Sequence, residues 1–227
     1  MIRRTIRIIG WIVAGYVAAI LVLTAVYAFV PPVSTFMLVH WLSGGTVVRD
    51  WRPLEAISPD LVHAVVVSED ARICAHSGID WHEVGEAIAD ADELSDARGA
   101  STIAMQTARN LFLWPGRHYV RKALEVPIAY FLTIAWSPRR IVEVYLNIAE
   151  WGPTGEFGAE AAAQRAFRKS ADNLTRREAA LLAASLPNPV RRNAARPGAG
   201  LQRVASRTIA GVASDGGAAI HCLNLGR

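Results

Sequence analysis

Apolar positions are spread unevenly along the chain, and the longest run comes first. Ile8 to Val30 is 23 residues without a charge. At about 1.5 Å per residue a helix of that length rises roughly 34 Å, enough to cross a hydrocarbon core of about 30 Å. Arg3, Arg4 and Arg7 precede the run and Pro31-Pro32 ends it. That asymmetry keeps the arginines cytoplasmic and sends the rest of the chain across. Trp11, Tyr16, Tyr27 and Phe29 are candidate interfacial anchors. A cleaved signal peptide competes, with Val26-Tyr27-Ala28 as its small-residue site. The run, however, exceeds the roughly 7–15 residues of a signal core. It also has no polar face, which argues against a buried core helix. A retained anchor is the reading adopted.

Beyond the anchor the period is helical. Residues 31–54, with Gly44-Gly45, read as a membrane-proximal connector to a domain at 55–200, followed by a last helix and tail at 201–227. Leu61, Val62, Val65 and Val66 recur at helical spacing after Ser58-Pro59-Asp60. Asp80 is placed to cap a helix over 81–93, with Val84 and Ile88 inward. Further helices are expected over 100–113, over 120–136, and from Pro138 through Ile141, Val144, Tyr145 and Ile148. An alanine-rich helix follows over 160–167. Thr175-Arg176-Arg177-Glu178 is a capping box for 176–186, which Pro187 and Pro189 stop. An amphipathic helix is expected over 201–212, and the small residues after Ser214 read as a poorly ordered tail. Residues 187–200 read as a loop, and no alternating β-branched run suggests a sheet. The fold class is therefore mainly α.

With 227 residues there is room for one catalytic domain, not two. The net charge of +4 conceals a division: residues 50–96 hold twelve acids and two arginines, whereas 97–227 hold eighteen basic residues and eight acids. A two-signed chain is no nucleic-acid binder, and its basic half suits an anionic ligand such as a phosphate. The two cysteines, Cys74 and Cys222, are too few for a disulfide framework and lack metal spacing. They either pair in an oxidising compartment or leave Cys74 as a small core residue.

Three segments carry candidate chemistry: EDARICAHSGID at 69–80, GASTIAMQTARNLFL at 99–113 and RKALE at 121–125. They offer two glutamates, Glu69 and Glu125, and the cations Arg109, Arg117, Arg121 and Lys122. Paired carboxylates suit glycosyl chemistry, and cations beside them stabilise a departing phosphate. Asp70 and His76 are read as braces for the Glu69 loop. His82-Glu83-Val84-Gly85-Glu86 lacks the second histidine of a zinc HExxH and reads as a solvated helix face.

These segments occur in the order Glu-Asp…His-x-Gly-x-Asp, Gly-x-Ser-Thr-Ile-x-x-Gln-x-x-Arg-Asn, Arg-Lys-x-x-Glu, and Ile-x-Glu-x-Tyr-Leu-Asn. NLFLWPGR (110–117), YLNIAEWG (145–152) and REAALLAASLPNP (177–189) accompany them. Over roughly 55–197 the chain resembles the peptidoglycan glycosyltransferases, above all their monofunctional biosynthetic transglycosylases. The resemblance implies a lysozyme-like helical glycosyltransferase domain on one transmembrane helix, periplasmic and held at the inner membrane. It implies polymerisation of lipid II, with the growing glycan strand as donor and undecaprenyl diphosphate released. Glu69 then matches the general base and Glu125 the second carboxylate near the diphosphate. Arg109, Arg117, Arg121 and Lys122 match its cations, and Ser101, Thr102, Gln106 and Asn110 the polar residues of the donor cleft. A divalent cation, usually magnesium, is implied without a ligand set. Membrane lipid and other cell-wall synthesis and division proteins are the further partners implied.

The chain departs from the family pattern at several points. Ile73 stands for a phenylalanine, Met105 for a glutamine, Arg109 for a lysine and Pro138 for a lysine that Arg139 or Arg140 is expected to replace. A membrane-anchored, lysozyme-like muramidase and a non-catalytic lipid II-binding scaffold are the alternatives. The first has no use for the basic cluster, because it cleaves a neutral bond; the second is suggested by Met105 and Pro138. A transpeptidase is excluded, since neither Lys122 nor Lys169 follows a serine by three residues.

Overall fold

The computed structural model describes residues 2–89, 101–116 and 119–225. They form ten α-helices: α1 Ile2–Tyr27, α2 Thr35–Leu42, α3 Pro59–Glu69, α4 Trp81–Ala89, α5 Ile103–Phe112, α6 Tyr119–Ala135, α7 Pro138–Ile148, α8 Ala159–Phe167, α9 Arg176–Ser185 and α10 Ala199–Asp215. Among the described residues no strand forms; two isolated bridges join Val48 to Glu156 and Glu150 to Phe157. Helix ends follow local chemistry. Ser34, Thr102, Ser137 and Thr175 each cap a helix through the side-chain oxygen, and the Thr175–Glu178 capping box closes in both directions. The helix expected over 81–93 is described to Ala89, and Val84 packs against the core. Its continuation to 93 and the inward placement of Ile88 lie outside the described residues.

At the centre is α3, where Leu61, Val62, Ala64, Val65 and Val66 are all buried. A helix apolar on nearly every side must be enclosed, and α9 and α10 enclose this one. On the other side, α5 packs against α6 and α7. The C-terminal end of α3 and the N-terminal end of α5 thereby meet.

The anchor α1 is long and apolar enough to cross a membrane, and nearly all of its apolar side chains face outward. Its later turns nonetheless touch the domain. Tyr16 Oη donates to the Phe112 carbonyl at 2.7 Å, and Trp136 Nε1 to that of Thr24 at 3.0 Å. Arg140 Nη2 donates to the carbonyls of Tyr27 and Val30 at 2.8 Å each, a cation on the orphan carbonyls of a helix end. Tyr16 thus also docks α1 on the domain.

The connector gains detail, and the expectation for the tail changes. The connector contains α2 and a 3-10 turn at Leu54–Ala56, held where Arg49 stacks over Trp51. The tail is ordered: α10 runs on to Asp215, a 3-10 segment spans Ala218–Leu223, and Leu223 is fully buried. Small residues there permit close packing, and Cys222 bonds to Cys74 across 148 residues. By the chain-entropy argument a cross-link of that span contributes about 5 kcal/mol. Arg139, expected to stand in for the lysine at position 138, donates instead to the carbonyls of Leu223 and Asn224 at 2.8 and 2.9 Å. Neither it nor Arg140 is free for a ligand.

The loop after α7 is stitched to the connector. Val48 N–H donates to the Gly155 carbonyl at 2.8 Å, and Phe157 N–H to that of Val48 at 2.9 Å. Gly155 has φ +88°, and a Cβ there would lie 2.0 Å from the Thr46 carbonyl oxygen. Gly155→Ala is therefore expected to destabilise the protein by about 1–3 kcal/mol, measured by thermal unfolding in detergent.

Candidate active site

Glu69 is the last residue of α3, at the wall of an open cleft of about 220 Å³ lined also by Asp70, Asp80, Glu83, Ser101 and Thr102. The valines of α3 fix the helix rotation, and rotation decides where residue 69 emerges. Asp70 supplies the next constraint. One carboxylate oxygen lies 2.7 Å from His76 Nε2, and the other accepts the Ile103 N–H at 2.8 Å. A single buried side chain thus closes the 70–76 turn and holds the first turn of α5, confirming both Asp70 and His76 as braces. Thr102 Oγ1 adds a 2.6 Å hydrogen bond to the Gly78 carbonyl.

With α5 so placed, Gln106 reaches Glu69: its Nε2 donates to Glu69 Oε2 at 2.9 Å. Tyr145 Oη, from α7, donates to Gln106 Oε1 at 3.0 Å. This second bond orients the amide, leaving the NH₂ for the carboxylate. Burial raises the Glu69 pKa above its ordinary 4.5; the Gln106 hydrogen bond and the charges of Arg109 and Arg192 oppose that rise, and Asp70 adds to it. Burial also lifts the Tyr145 phenol well above 10.0, with Glu69 contributing. The phenol therefore remains a donor.

The second carboxylate connects to the cleft through Ser101. Lys122 Nζ donates to Ser101 Oγ and, at 3.1 Å, to Glu125 Oε2. Arg121 Nη1 lies 3.2 Å from Glu125 Oε1, and both side chains are buried. Arg121 Nε finds no hydrogen-bond partner, while Glu125 Oε1 has only its ion pair to Arg121. An unsatisfied buried polar atom costs about 1–3 kcal/mol, so such atoms persist chiefly where a ligand or water completes them. Burial, and the charge of Arg109, lower the Arg121 pKa against the opposing effect of Glu125. Arg109 thus acts on Glu69 and Arg121 alike.

The structure joins Glu69, Gln106 and Arg109 on one side, and Ser101, Lys122, Arg121 and Glu125 on the other. Asn110 is buried, and its Oδ1 accepts from Arg109 Nε at 3.2 Å, so it positions the cation rather than facing the cleft. Thr102 lines the cleft, but its hydroxyl is committed to Gly78 and to the Met105 N–H. Arg117 lies outside the described residues. His82, Glu83 and Glu86 cluster on an exposed face of α4, as the solvated reading expects. Two contributors were missed. Tyr145 carries only the core signal of its i, i+3 and i+4 neighbours. Arg192, whose Nη1 donates to the Ala184 carbonyl at 2.8 Å, sits in the 187–200 loop with nothing to mark it.

One carboxylate in the cleft, another reached through a lysine beside it, and guanidinium groups near both suit an enzyme that transfers a glycosyl group. Residues 37–211 match the transglycosylase family, and the chain belongs to it. It is 52% identical over 209 residues to the biosynthetic peptidoglycan transglycosylase of Rhodopseudomonas palustris (strain HaA2), covering 92% of each chain. Proteins of the same name are 50% identical over 208 residues in Nitrobacter winogradskyi, again 92% of each, and 52% over 185 in Agrobacterium fabrum, 81% of each.

Glu69 is expected to titrate above 4.5 in the folded protein. Gln106→Ala removes a hydrogen bond to the charged form and should raise it further. Carboxyl-resolved NMR titration of the two proteins measures both shifts; a Glu69 value unchanged by the substitution contradicts the arrangement.

Proposed function

We propose that this chain polymerises lipid II into glycan strands at the periplasmic face of the inner membrane, with Glu69 as the base. It is a peptidoglycan glycosyltransferase of cell-wall synthesis. The growing strand is the donor, through its undecaprenyl diphosphate, and lipid II the acceptor. Glu69 takes the proton of the acceptor 4-hydroxyl as that oxygen attacks the donor's anomeric carbon. The bond from that carbon to the diphosphate oxygen breaks, the centre inverts, and a β-1,4 linkage forms. Arg109, Arg121 and Lys122 receive the charge that accumulates on the leaving diphosphate, the open donor on Arg121 Nε included. Glu125 holds Arg121 and Lys122 in place.

The observation that carries this reading is the Glu69 carboxylate itself, partly dehydrated and hydrogen-bonded at a cleft wall within the field of Arg109. Partial dehydration makes a carboxylate a stronger base, while the nearby cation keeps enough of it ionised. Three arginines in the first two turns of α1, ahead of its uncharged run, support the periplasmic orientation, and the Cys74–Cys222 bond supports an oxidising compartment.

For magnesium, the described residues do not form an oxygen cage. Asp70 is occupied by His76 and Ile103, and Asp80 by Arg72 and the α4 N-terminus. The His82–Glu83–Glu86 cluster includes an imidazole and is exposed, a poor match for an ion that prefers six oxygens. We assign no protein site and route no step through the ion; the substrate diphosphate is its natural carrier. Chelation by EDTA is accordingly expected to slow turnover without moving the thermal midpoint. A fall in that midpoint would point to a resident ion.

Glu69→Gln should reduce lipid II polymerisation by about a hundredfold or more, on the scale of a lost general base, measured as glycan formed by purified protein. Its fold should persist. A carboxyl whose pKa is raised by folding destabilises the native state once pH exceeds the unfolded value, so the neutral amide should not lower the thermal midpoint at pH 7. Unchanged polymerisation would remove Glu69 from the mechanism.

A further inference from the structure

We propose that Cys222 is a positioning residue for Glu69, acting through its bond to Cys74, which ties the C-terminal segment to the loop that follows the base. The inference rests on the assignment of Glu69 as the base. Cys74 lies five residues beyond Glu69, within the turn that Asp70 and His76 close. The opposite cysteine belongs to a strap of about ten residues, from Asp215 to Asn224, which is fastened at three further points. Asp215 Oδ2 lies 2.7 Å from His63 Nε2, on the same helix as Glu69. Leu223 is fully buried, and Arg139 of α7 donates to the carbonyls of Leu223 and Asn224. Within the strap, Ala219 N–H donates to the Asp215 carboxylate at 3.0 Å.

The strap therefore fastens the chain on both sides of the base: His63 of α3, six residues before it, and Cys74 in the loop after it. None of its residues lines the cleft, so any effect on the reaction passes through α3 and the loop. Placement of a base is steeply consequential, because a displacement of about 1 Å costs a reaction roughly a hundredfold. The tie is also chemically breakable. A small dithiol exchanges with the bond, leaving two cysteine thiols and taking the disulfide itself, so two electrons and two protons move from the reductant to the protein. A covalent tie beside the base thereby makes turnover responsive to the thiol–disulfide poise around the enzyme.

The test uses the full-length protein in detergent with lipid II as substrate. Wild type, Cys222→Ser and Cys74→Ser are assayed with and without dithiothreitol, well below their thermal midpoints, with circular dichroism confirming the fold. Reduction of wild type should lower kcat by roughly ten- to a hundredfold with little change in KM for lipid II. Both serine variants should match the reduced enzyme and ignore dithiothreitol, and reoxidation should restore wild type alone. As Glu69 becomes better hydrated, the acid limb of the pH profile should move to lower pH. Unchanged kcat and pH profile with only a lower thermal midpoint would overturn the proposal, making the bond a stability element. Loss of the fold on reduction would overturn it equally. Glu69→Gln, assayed beside them, separates the two readings: if that variant is fully active, the assignment of the base has failed, whatever the thiols do.

Discussion

The carboxylate of Asp70 is the hinge on which the site turns. Its two oxygens are taken by His76 Nε2 and the Ile103 N–H, so one buried group joins the end of α3, the following turn and the start of α5. The contacts that α5 makes to Glu69 depend on that junction. Gln106 lies one helical turn beyond Ile103 and reaches Glu69 only because α5 starts where it does; Arg109, one further turn along, inherits its place. Tyr145 completes the arrangement from α7. A carboxylate suits this role because it accepts strongly from two directions at once, and an ionised acceptor at a helix N-terminus is favoured by the unpaired N–H groups there.

Electrostatics at the cleft are a compromise between burial and compensation. Glu69 is dehydrated enough to be raised yet keeps opposing cations close, whereas Glu125 is held directly between Arg121 and Lys122. Two glutamates thus sit in different surroundings, one hydrogen-bonded by an amide and one ion-paired.

Much of this was legible in the order of residues. The anchor, the helices and their caps follow from uncharged length, apolar spacing and side-chain oxygens at helix starts, all local properties. Glu69, Gln106, Arg109, Arg121, Lys122 and Glu125 were legible from motifs whose order and separation reflect one site. Legibility failed where a residue's role depends on a distant partner. Thr102 looks like a ligand-facing group, but the Gly78 carbonyl, 24 residues back, accepts from its hydroxyl. Arg139 and Arg140 look available for an anion, yet the carbonyls of the C-terminal strap and of α1 take them. The tail of small residues looked poorly ordered because its stabilisation comes from Cys74 and Arg139, far away in the chain.

Local chemistry alone specifies a membrane-length apolar segment, a mainly helical domain and an inventory of carboxylates and cations, because periodicity, capping and charge act over a few residues. Which oxygen meets which donor was settled by packing. The rotation of α3 among α9 and α10 turns Glu69 toward the cleft, α7 brings the hydroxyl that orients Gln106, and the chain's return over 148 residues brings Cys222 to Cys74. These are long-range meetings, and no local rule encodes a partner whose position depends on how every intervening helix is stacked.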